Sequence, residues 1–141
     1  EGEYYTEVFN QLNDYRAANG LNRLHYNTSL QYAANTRALE ASFYFEHTRP
    51  NQERWNTVCP EWKYGGENIA SGQSTPTNVM NAWKNSEGHN RNMLYGLESG
   101  QKPFAGVSIG VFHRYLFTSA VRPSIPNEVI TWSQNFTFYE Y

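Results

Sequence analysis

The chain has 141 residues, a formal net charge of −2 at pH 7, an apolar fraction of 39% and an aromatic fraction of 16%. This length fits a single domain over residues 1–141, and no apolar run approaches the roughly 20 residues of a transmembrane helix. The absence of a Lys/Arg cluster excludes the basic surface typical of nucleic-acid binding, and the single cysteine, Cys59, excludes an internal disulfide.

The first part of the chain predicts two helices. Apolar residues from Tyr5 to Tyr15 recur at three- and four-residue steps, which predicts a helix that ends before Gly20. A second helix is expected to start at Asn27-Thr28-Ser29, which are good capping residues. Its buried stripe would be Leu30, Ala33, Ala34, Ala38, Ala41 and Phe45. The many alanines indicate that another element packs very closely against this helix.

A long loop and two short helices follow. The loop runs from about Thr48 to Gly66 and holds Trp55 and Trp62, and loops of this length are often functional. Thr75-Pro76 predicts the start of a third helix, because a capping residue is followed by proline in the first turn. Asn85-Ser86 predicts a second cap and a short helix towards Leu94.

The last third of the chain predicts strands. Alternating apolar residues indicate one strand over 104–112 and another over 115–121, with His113 in the turn between them. Pro123 and Pro126 mark a turn before the clearest strand, over 128–139. Helices followed by adjacent strands predict an α+β fold with an antiparallel sheet.

Two of the four histidines, His47 and His89, have unusual neighbours. Spacing alone predicts that His47 lies at the C-terminal end of a helix, where the helix dipole favours a histidine. Glu67 follows two glycines that let the backbone bend, so its carboxylate either points inward or caps the N–H groups of a turn. His89 falls in the first helical turn after Ser86, where the positive helix end favours neutral imidazole, the form that binds metal.

Two further polar residues are candidates for the same site. Glu87 precedes His89 by two positions and could face the same opening, although an acid that stabilises the helix N-terminus is the simpler interpretation. Gln134 occupies the apolar register of the last strand, where a buried amide must be hydrogen-bonded. The Gln134 amide either forms hydrogen bonds within the core or lies on the floor of a polar pocket. The residues alone therefore indicate a candidate His/Glu site on an α+β domain.

These same segments resemble the CAP superfamily, also called the SCP or PR-1-like family, and in particular its bacterial secreted branch. The telling segments occur in the family's order: His47-Thr48-Arg49-Pro50, Gly66-Glu67-Asn68-Ile69-Ala70, Trp83-x-Asn85-Ser86, Gly88-His89-x-x-Asn92 and Trp132-Ser133-Gln134-Asn135-Phe136. The resemblance covers nearly the whole chain. It implies an α-β-α sandwich with a small antiparallel sheet flanked by helices.

The resemblance also implies a central cleft with two histidines and two acids. By position, the histidines are His47 and His89 and one acid is Glu67, while Glu87 either replaces the family's second acid or is incidental. Some family members bind zinc or another divalent cation through the two histidines. Further pocket candidates are Asn68, Ser86 and Gln134. Because the family is secreted, the resemblance implies an extracellular or cell-surface protein whose signal peptide has been removed.

Three functions are consistent with these residues and with the family resemblance. The favoured one is a secreted, non-enzymatic CAP domain whose divalent-cation cleft binds a ligand, a lipid or a partner protein. The second is a zinc-dependent hydrolase with Glu67 as general base, although three protein ligands are usual for catalytic zinc. The third is a purely structural His/Glu hydrogen-bond network. Neither the ligand nor the oligomeric state follows from the sequence.

Overall fold

Helices form where apolar residues recur every three or four positions, and strands form where they alternate. The computed structural model describes residues 2–60, 65–117 and 126–141, which form four α-helices and four strands. The helices are α1 (Gly2–Ala18), α2 (Gln31–Phe43), α3 (Pro76–Lys84) and α4 (Glu87–Met93). The strands are β1 (His25–Tyr26), β2 (Gly65–Ser71), β3 (Gly106–Phe117) and β4 (Pro126–Thr137). Within these residues, no helix combines the length and apolar character that crossing a bilayer requires.

The strands form one sheet in the order β1-β3-β4-β2. β4 pairs antiparallel with β2 and β3, whereas β1 pairs parallel with β3. α2 packs on one face of the sheet and the other three helices on the opposite face, which confirms the predicted α+β sandwich. The sheet is mixed rather than wholly antiparallel, because β1 joins it in parallel. With two residues, β1 is too short to show the alternation by which strands are recognised in a sequence.

The sheet face towards α1, α3 and α4 carries the main hydrophobic core. β3 and β4 supply alternate apolar side chains to it, as their sequence alternation predicts. The buried members of this core include Val8, Leu12, Val79, Met80, Trp83, Met93, Val107, Ile109, Ile130, Trp132 and Phe136. The predicted helix face from Tyr5 to Tyr15 therefore does pack inward, with its tyrosines and Phe9 partly buried at the margin of the core.

The opposite sheet face carries small or polar side chains, which allow the backbone of α2 to pack closely against it. Its paired residues are Gly106 with Thr137, Ser108 with Asn135, and Gly110 with Ser133. The Oγ of Ser133 donates to the main-chain oxygen of Ala34 at 2.9 Å. A Cβ added at Gly110 would lie 2.1 Å from that same oxygen. The alanine stripe of α2 therefore meets a very close neighbour, as predicted.

The end of α2 differs from the prediction. The helix stops at Phe43, so Phe45 does not belong to its buried stripe and is 52% exposed. His47 lies four positions beyond the helix and is not a helix-terminal histidine. The reason is a tertiary contact: Nη2 of Arg37 donates to the main-chain oxygen of Glu46 at 2.8 Å and holds the departing chain back against α2.

The predicted break at His113 is also wrong. β3 continues through this residue and pairs with β4 from Gly106 to Phe117, so His113 lies within a strand and its Nδ1 contacts Glu128. The long antiparallel ladder overrides the weak local alternation. The rest of the second predicted strand, over 118–121, and the turn at Pro123 lie outside the described residues.

The strand β2 has no counterpart in the sequence prediction, which placed 48–66 in a loop and Glu67 after a bend, either pointing inward or capping a turn. The carboxylate does point inward and is buried. β2 pairs with β4 along its whole length, from Gly65 opposite Thr137 to Ser71 opposite Thr131. A segment with two glycines, an acid and an amide has little local strand character, so the pairing with β4 produces it. The preceding loop contains one short 3₁₀ turn at Trp55–Val58, and Trp62 falls outside the described residues.

The predicted helix starts are confirmed in position. A 3₁₀ turn over Thr28–Leu30 leads into α2, although no side chain caps it. The Oγ1 of Thr75 accepts from the main-chain N–H of Asn78 at 3.1 Å at the start of α3. Ser86 occupies the N-cap of α4, but its hydroxyl makes no capping hydrogen bond.

Candidate functional site

The candidate site lies along β2, which is an edge strand of the sheet. Successive side chains on a strand point to opposite faces. Glu67 therefore faces α2 and contacts His47, whereas Asn68 faces α4 and contacts the main chain of His89. Two adjacent residues of one strand thus bring together segments that are 42 positions apart in the sequence.

Glu67 is buried and both of its carboxylate oxygens are occupied. Arg37 makes a bidentate pair with it, from Nε to Oε2 and from Nη2 to Oε1, each at 2.8 Å. Asn135 Nδ2 donates to Oε2 at 2.8 Å, and Nδ1 of His47 lies 3.0 Å from Oε1. A carboxylate has about four acceptor positions, so these four contacts use its full capacity.

Arg37 extends this contact into an ion-pair network. Its Nη1 donates to Glu40 at 2.8 Å, and Arg49 donates to both oxygens of Glu40. Burial lowers the pKa of Arg37, but the hydrogen bonds and charges of Glu67 and Glu40 outweigh it and raise this pKa above its ordinary value. Burial likewise raises the pKa of Glu40, and the two arginines more than reverse this, so its pKa is lowered. The network fixes the loop that carries His47.

The His47 ring is oriented by Glu67 and open on its other side. The side chain is 56% exposed, whereas that of Glu67 is 1% exposed. Because a carboxylate only accepts hydrogen bonds, Nδ1 of His47 carries the proton, and in the neutral ring Nε2 keeps its lone pair. Within the described part of the chain, Nε2 has no hydrogen-bond partner. This arrangement of carboxylate, Nδ1–H and free Nε2 is typical of metal-binding histidines.

The His89 ring is oriented in a similar way by Ser86. Its Nδ1 lies 2.8 Å from the Ser86 hydroxyl, which can accept from Nδ1–H and leave the lone pair on Nε2. Burial lowers the pKa of His89, and the charge of His47 lowers it further. The neutral form of His89 is therefore favoured.

Asn68 and Gln134 form the inner, structural part of the site. Asn68 Nδ2 donates to the main-chain oxygen of His89 at 3.1 Å and to Oε1 of Gln134 at 3.0 Å. Nδ2 of Asn92 donates to Oδ1 of Asn68 and to the main-chain oxygen of Glu67. Asn68 and Gln134 are fully buried, so both amides are satisfied inside the core rather than on a pocket floor.

Glu87 stands apart from this group. Its carboxylate is 89% exposed and pairs with Arg91, one turn further along α4, at 2.9 Å. It lines a hollow of about 480 Å³ together with Lys84 and Glu98, on the outer side of α4. This position matches an acid at a helix N-terminus, which is the simpler of its two sequence interpretations.

Two nitrogen atoms at this site could serve as ligands for a divalent cation: Nε2 of His47 and Nε2 of His89. The four donors around the Glu67 carboxylate leave it to orient His47 rather than to act as a ligand. In the ranges 2–60, 65–117 and 126–141, no three His, Cys, Asp or Glu side chains are grouped so that they could hold a metal ion. Water or a bound ligand would complete the coordination of the ion.

Two site residues escaped the sequence analysis, Arg37 and Asn135. Arg37 lies on the alanine stripe of α2 and is fully buried. A charged residue among buried alanines requires a charged partner, so the position of Arg37 in the stripe could have identified it as part of a buried ion pair. Asn135 was recognised only as part of a resembling segment. Its contact with Glu67 follows from the pairing of β2 with β4, which the sequence did not predict.

We expect His89 to titrate below the ordinary histidine value of 6.5, because burial and the charge of His47 both lower its pKa. In His47→Gln this pKa should rise but stay below the ordinary value, since burial remains. Because the folded state lowers the pKa, the stability due to His89 is complete above about 6.5 and declines as the pH falls through the folded value. NMR titration of the imidazole resonances measures both values; an unchanged His89 pKa in the variant would refute the coupling.

A sequence model described as "CAP: Cysteine-rich secretory protein family" matches residues 9–96. The chain is 34% identical over 97 residues to the "Uncharacterized protein YkwD" of Bacillus subtilis. This match covers 64% of the chain and 38% of that protein, so the chain spans less than half of its relative's length.

Solved structures share the fold. An extracellular protein of Bacillus anthracis that contains an SCP domain superposes with a TM-score of 0.76 at 22% identity, over 99% of this chain and 41% of that one. An outer surface protein of Borrelia burgdorferi gives 0.61 at 19% identity, over 94% and 92%. A cysteine-rich secretory protein of Staphylococcus aureus gives 0.60 at 16% identity, over 95% and 39%.

Proposed function

The chain belongs to the CAP family of cysteine-rich secretory proteins, and on this premise we propose that it is a non-catalytic extracellular domain that binds a divalent cation through His47 and His89. The bound cation would present open coordination positions to a ligand or a partner protein. The observation that carries this proposal is the orientation of both rings through Nδ1, by Glu67 at 3.0 Å and by Ser86 at 2.8 Å.

The donor set suits a transition-metal ion. Neutral imidazole is a good ligand for zinc, copper and nickel, whereas magnesium and calcium prefer oxygen ligands. The lowered pKa of His89 keeps that ring in its ligand form at neutral pH. We therefore name zinc as the cation to test first.

The geometry supports binding better than hydrolysis. A hydrolytic zinc site usually has three protein ligands and a general base that reaches the bound water. Here two histidines are available, and the Glu67 carboxylate is buried with four hydrogen-bond donors around it. Glu67 therefore serves to orient His47, in the way that a carboxylate beside a metal-bound histidine does.

A neighbouring hollow offers a surface for an organic ligand or a partner side chain. It has a volume of about 280 Å³ and lies beside Gly65 and Asn92, at the start of β2. Its walls are aromatic and polar: Arg54, Trp55, Asn56, Tyr95, Phe104 and Phe138. Ligand pockets commonly combine aromatic walls with a few polar groups. An extracellular location is consistent with structural neighbours that are described as extracellular or outer surface proteins.

The test is calorimetric titration of metal-stripped protein with Zn²⁺. We expect saturable binding in the wild type that weakens as the pH is lowered, because protons compete for the two Nε2 atoms. His47→Ala and His89→Ala should each lower the affinity at least about tenfold, since removing only an outer partner of a metal ligand typically costs about 10–100-fold.

His25→Ala is the matched control, since His25 lies on β1 and is exposed. It should bind zinc as the wild type does. No zinc binding by the wild type would favour the structural network instead. Zinc-dependent turnover of peptides, esters or glycans that is lost in His47→Ala would replace the proposal with the hydrolase function.

A further inference from the structure

An arginine side chain without a partner lines the hollow beside Gly65. Arg54 is exposed, and its guanidinium makes no hydrogen bond or ion pair with the residues in the ranges 2–60, 65–117 and 126–141. Arg37 and Arg49 differ from it, because each of them is paired with Glu40. A guanidinium presents five N–H donors in a planar fork, so Arg54 can bind an anion from outside the chain.

The backbone that carries Arg54 is fixed on both sides. Thr48 and Arg54 form an antiparallel β-bridge, which closes a turn directly after His47. The main-chain oxygen of Arg54 accepts two hydrogen bonds from Thr57, from its N–H at 3.1 Å and from its Oγ1 at 2.8 Å. Arg54 is therefore held next to the loop that carries His47, while its side chain remains open to solvent.

Aromatic rings form the wall of the same hollow. Phe104 packs on Tyr95 and on Phe138, with ring centroids 5.0 Å and 4.9 Å apart. Tyr95 and Phe138 line the hollow and are only partly buried. Aromatic side chains favour offset and edge contacts with other rings. This wall therefore suits a ligand whose apolar part is a ring.

The charge and size of the hollow indicate the class of ligand. Among the described residues that line it, Arg54 is the only charged one, and Lys102 lies outside it, over the ring of Phe138. A carboxylate carries one negative charge and matches the guanidinium fork, whereas a phosphate monoester carries about −1.5 to −2. One guanidinium therefore balances a carboxylate but not a phosphate. The volume of about 280 Å³ lies at the lower limit of ligand pockets, which suits a single ring rather than a long chain.

We propose that this hollow binds a small aromatic carboxylate, with its carboxylate on Arg54 and its ring against Tyr95 and Phe138. This inference rests on the proposed ligand-binding function and names the class of ligand. Asn92 connects the hollow to the candidate site, because it lines the hollow and donates to the main-chain oxygen of Glu67 at 3.2 Å. The guanidinium belongs to the chain itself, so binding can be measured on metal-stripped protein.

NMR titration of the metal-stripped protein with phenylpropionate tests the proposal. We expect saturable shift changes with a dissociation constant in the millimolar range, as is usual for a ligand of this size. Phenylpropionamide has the same ring but no charge. It should bind at least about tenfold more weakly, because hydrogen bonds to a charged group are the stronger ones. Propionate, which lacks the ring, should also bind more weakly than phenylpropionate.

Arg54→Gln should remove the preference for the charged ligand. It should weaken the binding of phenylpropionate at least about tenfold and leave the affinity for phenylpropionamide unchanged. Arg114→Gln is the matched control. Arg114 is also exposed, but it pairs with Val129 at the opposite end of the sheet from Gly65 and Thr137. This variant should bind both ligands as the wild type does.

Equal affinities of the wild type for phenylpropionate and its amide overturn the inference. So does an unchanged phenylpropionate affinity in Arg54→Gln, or no binding by the wild type at about 20 mM. Titration with Zn²⁺ in parallel separates this inference from the proposed cation site. Zinc binding without carboxylate binding would refute only the class of ligand, and carboxylate binding without zinc binding would refute only the cation.

Discussion

Arg37→Met is expected to destabilise the fold by about 3–5 kcal/mol, because it leaves the buried Glu67 carboxylate without its charge partner. Both side chains are essentially inaccessible, at 0% and 1% exposure, so water cannot replace the lost hydrogen bonds. The variant also loses the hydrogen bond to Glu46 that directs the chain towards His47. We therefore expect it to lose zinc affinity wherever it remains folded.

Chemical denaturation of wild type and variants measures this cost. Arg49→Met is the control, because Arg49 is partly exposed and pairs with Glu40 outside the core. Its loss should cost less than that of Arg37, because Glu40 keeps its pair with Arg37 and water reaches both Arg49 and Glu40, at 17% and 13% exposure. The double variant Arg37→Met/Glu67→Gln should recover much of the stability, since no uncompensated buried charge remains. A cost below about 1 kcal/mol for Arg37→Met would mean that the pair contributes little.

Gly110→Ala is expected to cost about 3 kcal/mol, at the upper end for overpacking a core. The added Cβ would lie 2.1 Å from the main-chain oxygen of Ala34 and 2.4 Å from Oγ of Ser133. Because the first of these atoms belongs to the backbone of α2, the whole helix must move away from the sheet. That movement also breaks the hydrogen bond from Ser133 to Ala34.

Gly88→Ala is the matched control for this substitution. Gly88 lies in α4, its backbone is helical, and nothing lies within 4 Å of an added Cβ. This variant should gain about 0.5 kcal/mol, because alanine loses less conformational entropy than glycine in a helix. Calorimetric melting separates the two: a Gly110→Ala midpoint within about 3 °C of wild type would show that α2 can yield at little cost.

The helices and the last strand could be predicted because their signals are local. Thr75 and Pro76 define the start of α3 by capping and by a fixed backbone angle. The apolar spacing from Tyr5 to Tyr15 defines the inner face of α1, and the alternation in β4 follows the pleat of a strand. These patterns depend on residues within a few positions of each other, which a sequence displays directly.

The elements that prediction missed depend on distant partners. β2 exists because β4 pairs with it, and β3 passes through His113 because β4 continues opposite. α2 ends at Phe43 because Arg37 holds the main chain of Glu46. The two strand pairings join segments far apart in the sequence. The Arg37–Glu46 contact spans only nine positions, but it forms only after the chain has turned back against the helix, which no periodic pattern displays.

The site shows the same difference between local signals and long-range contacts. The residues alone singled out His47, Glu67 and His89 as candidates and made His89 a neutral imidazole at a helix start, and the resemblance placed the three residues in one cleft. The tertiary structure shows their contacts: Arg37, 30 positions from Glu67, occupies the carboxylate that the hydrolase hypothesis takes as the general base. The residue types and local periodicity thus determined which groups were available. Burial and long-range hydrogen bonding decided which oxygens are occupied and which nitrogens face solvent, because these depend on chain segments that meet only in the folded state.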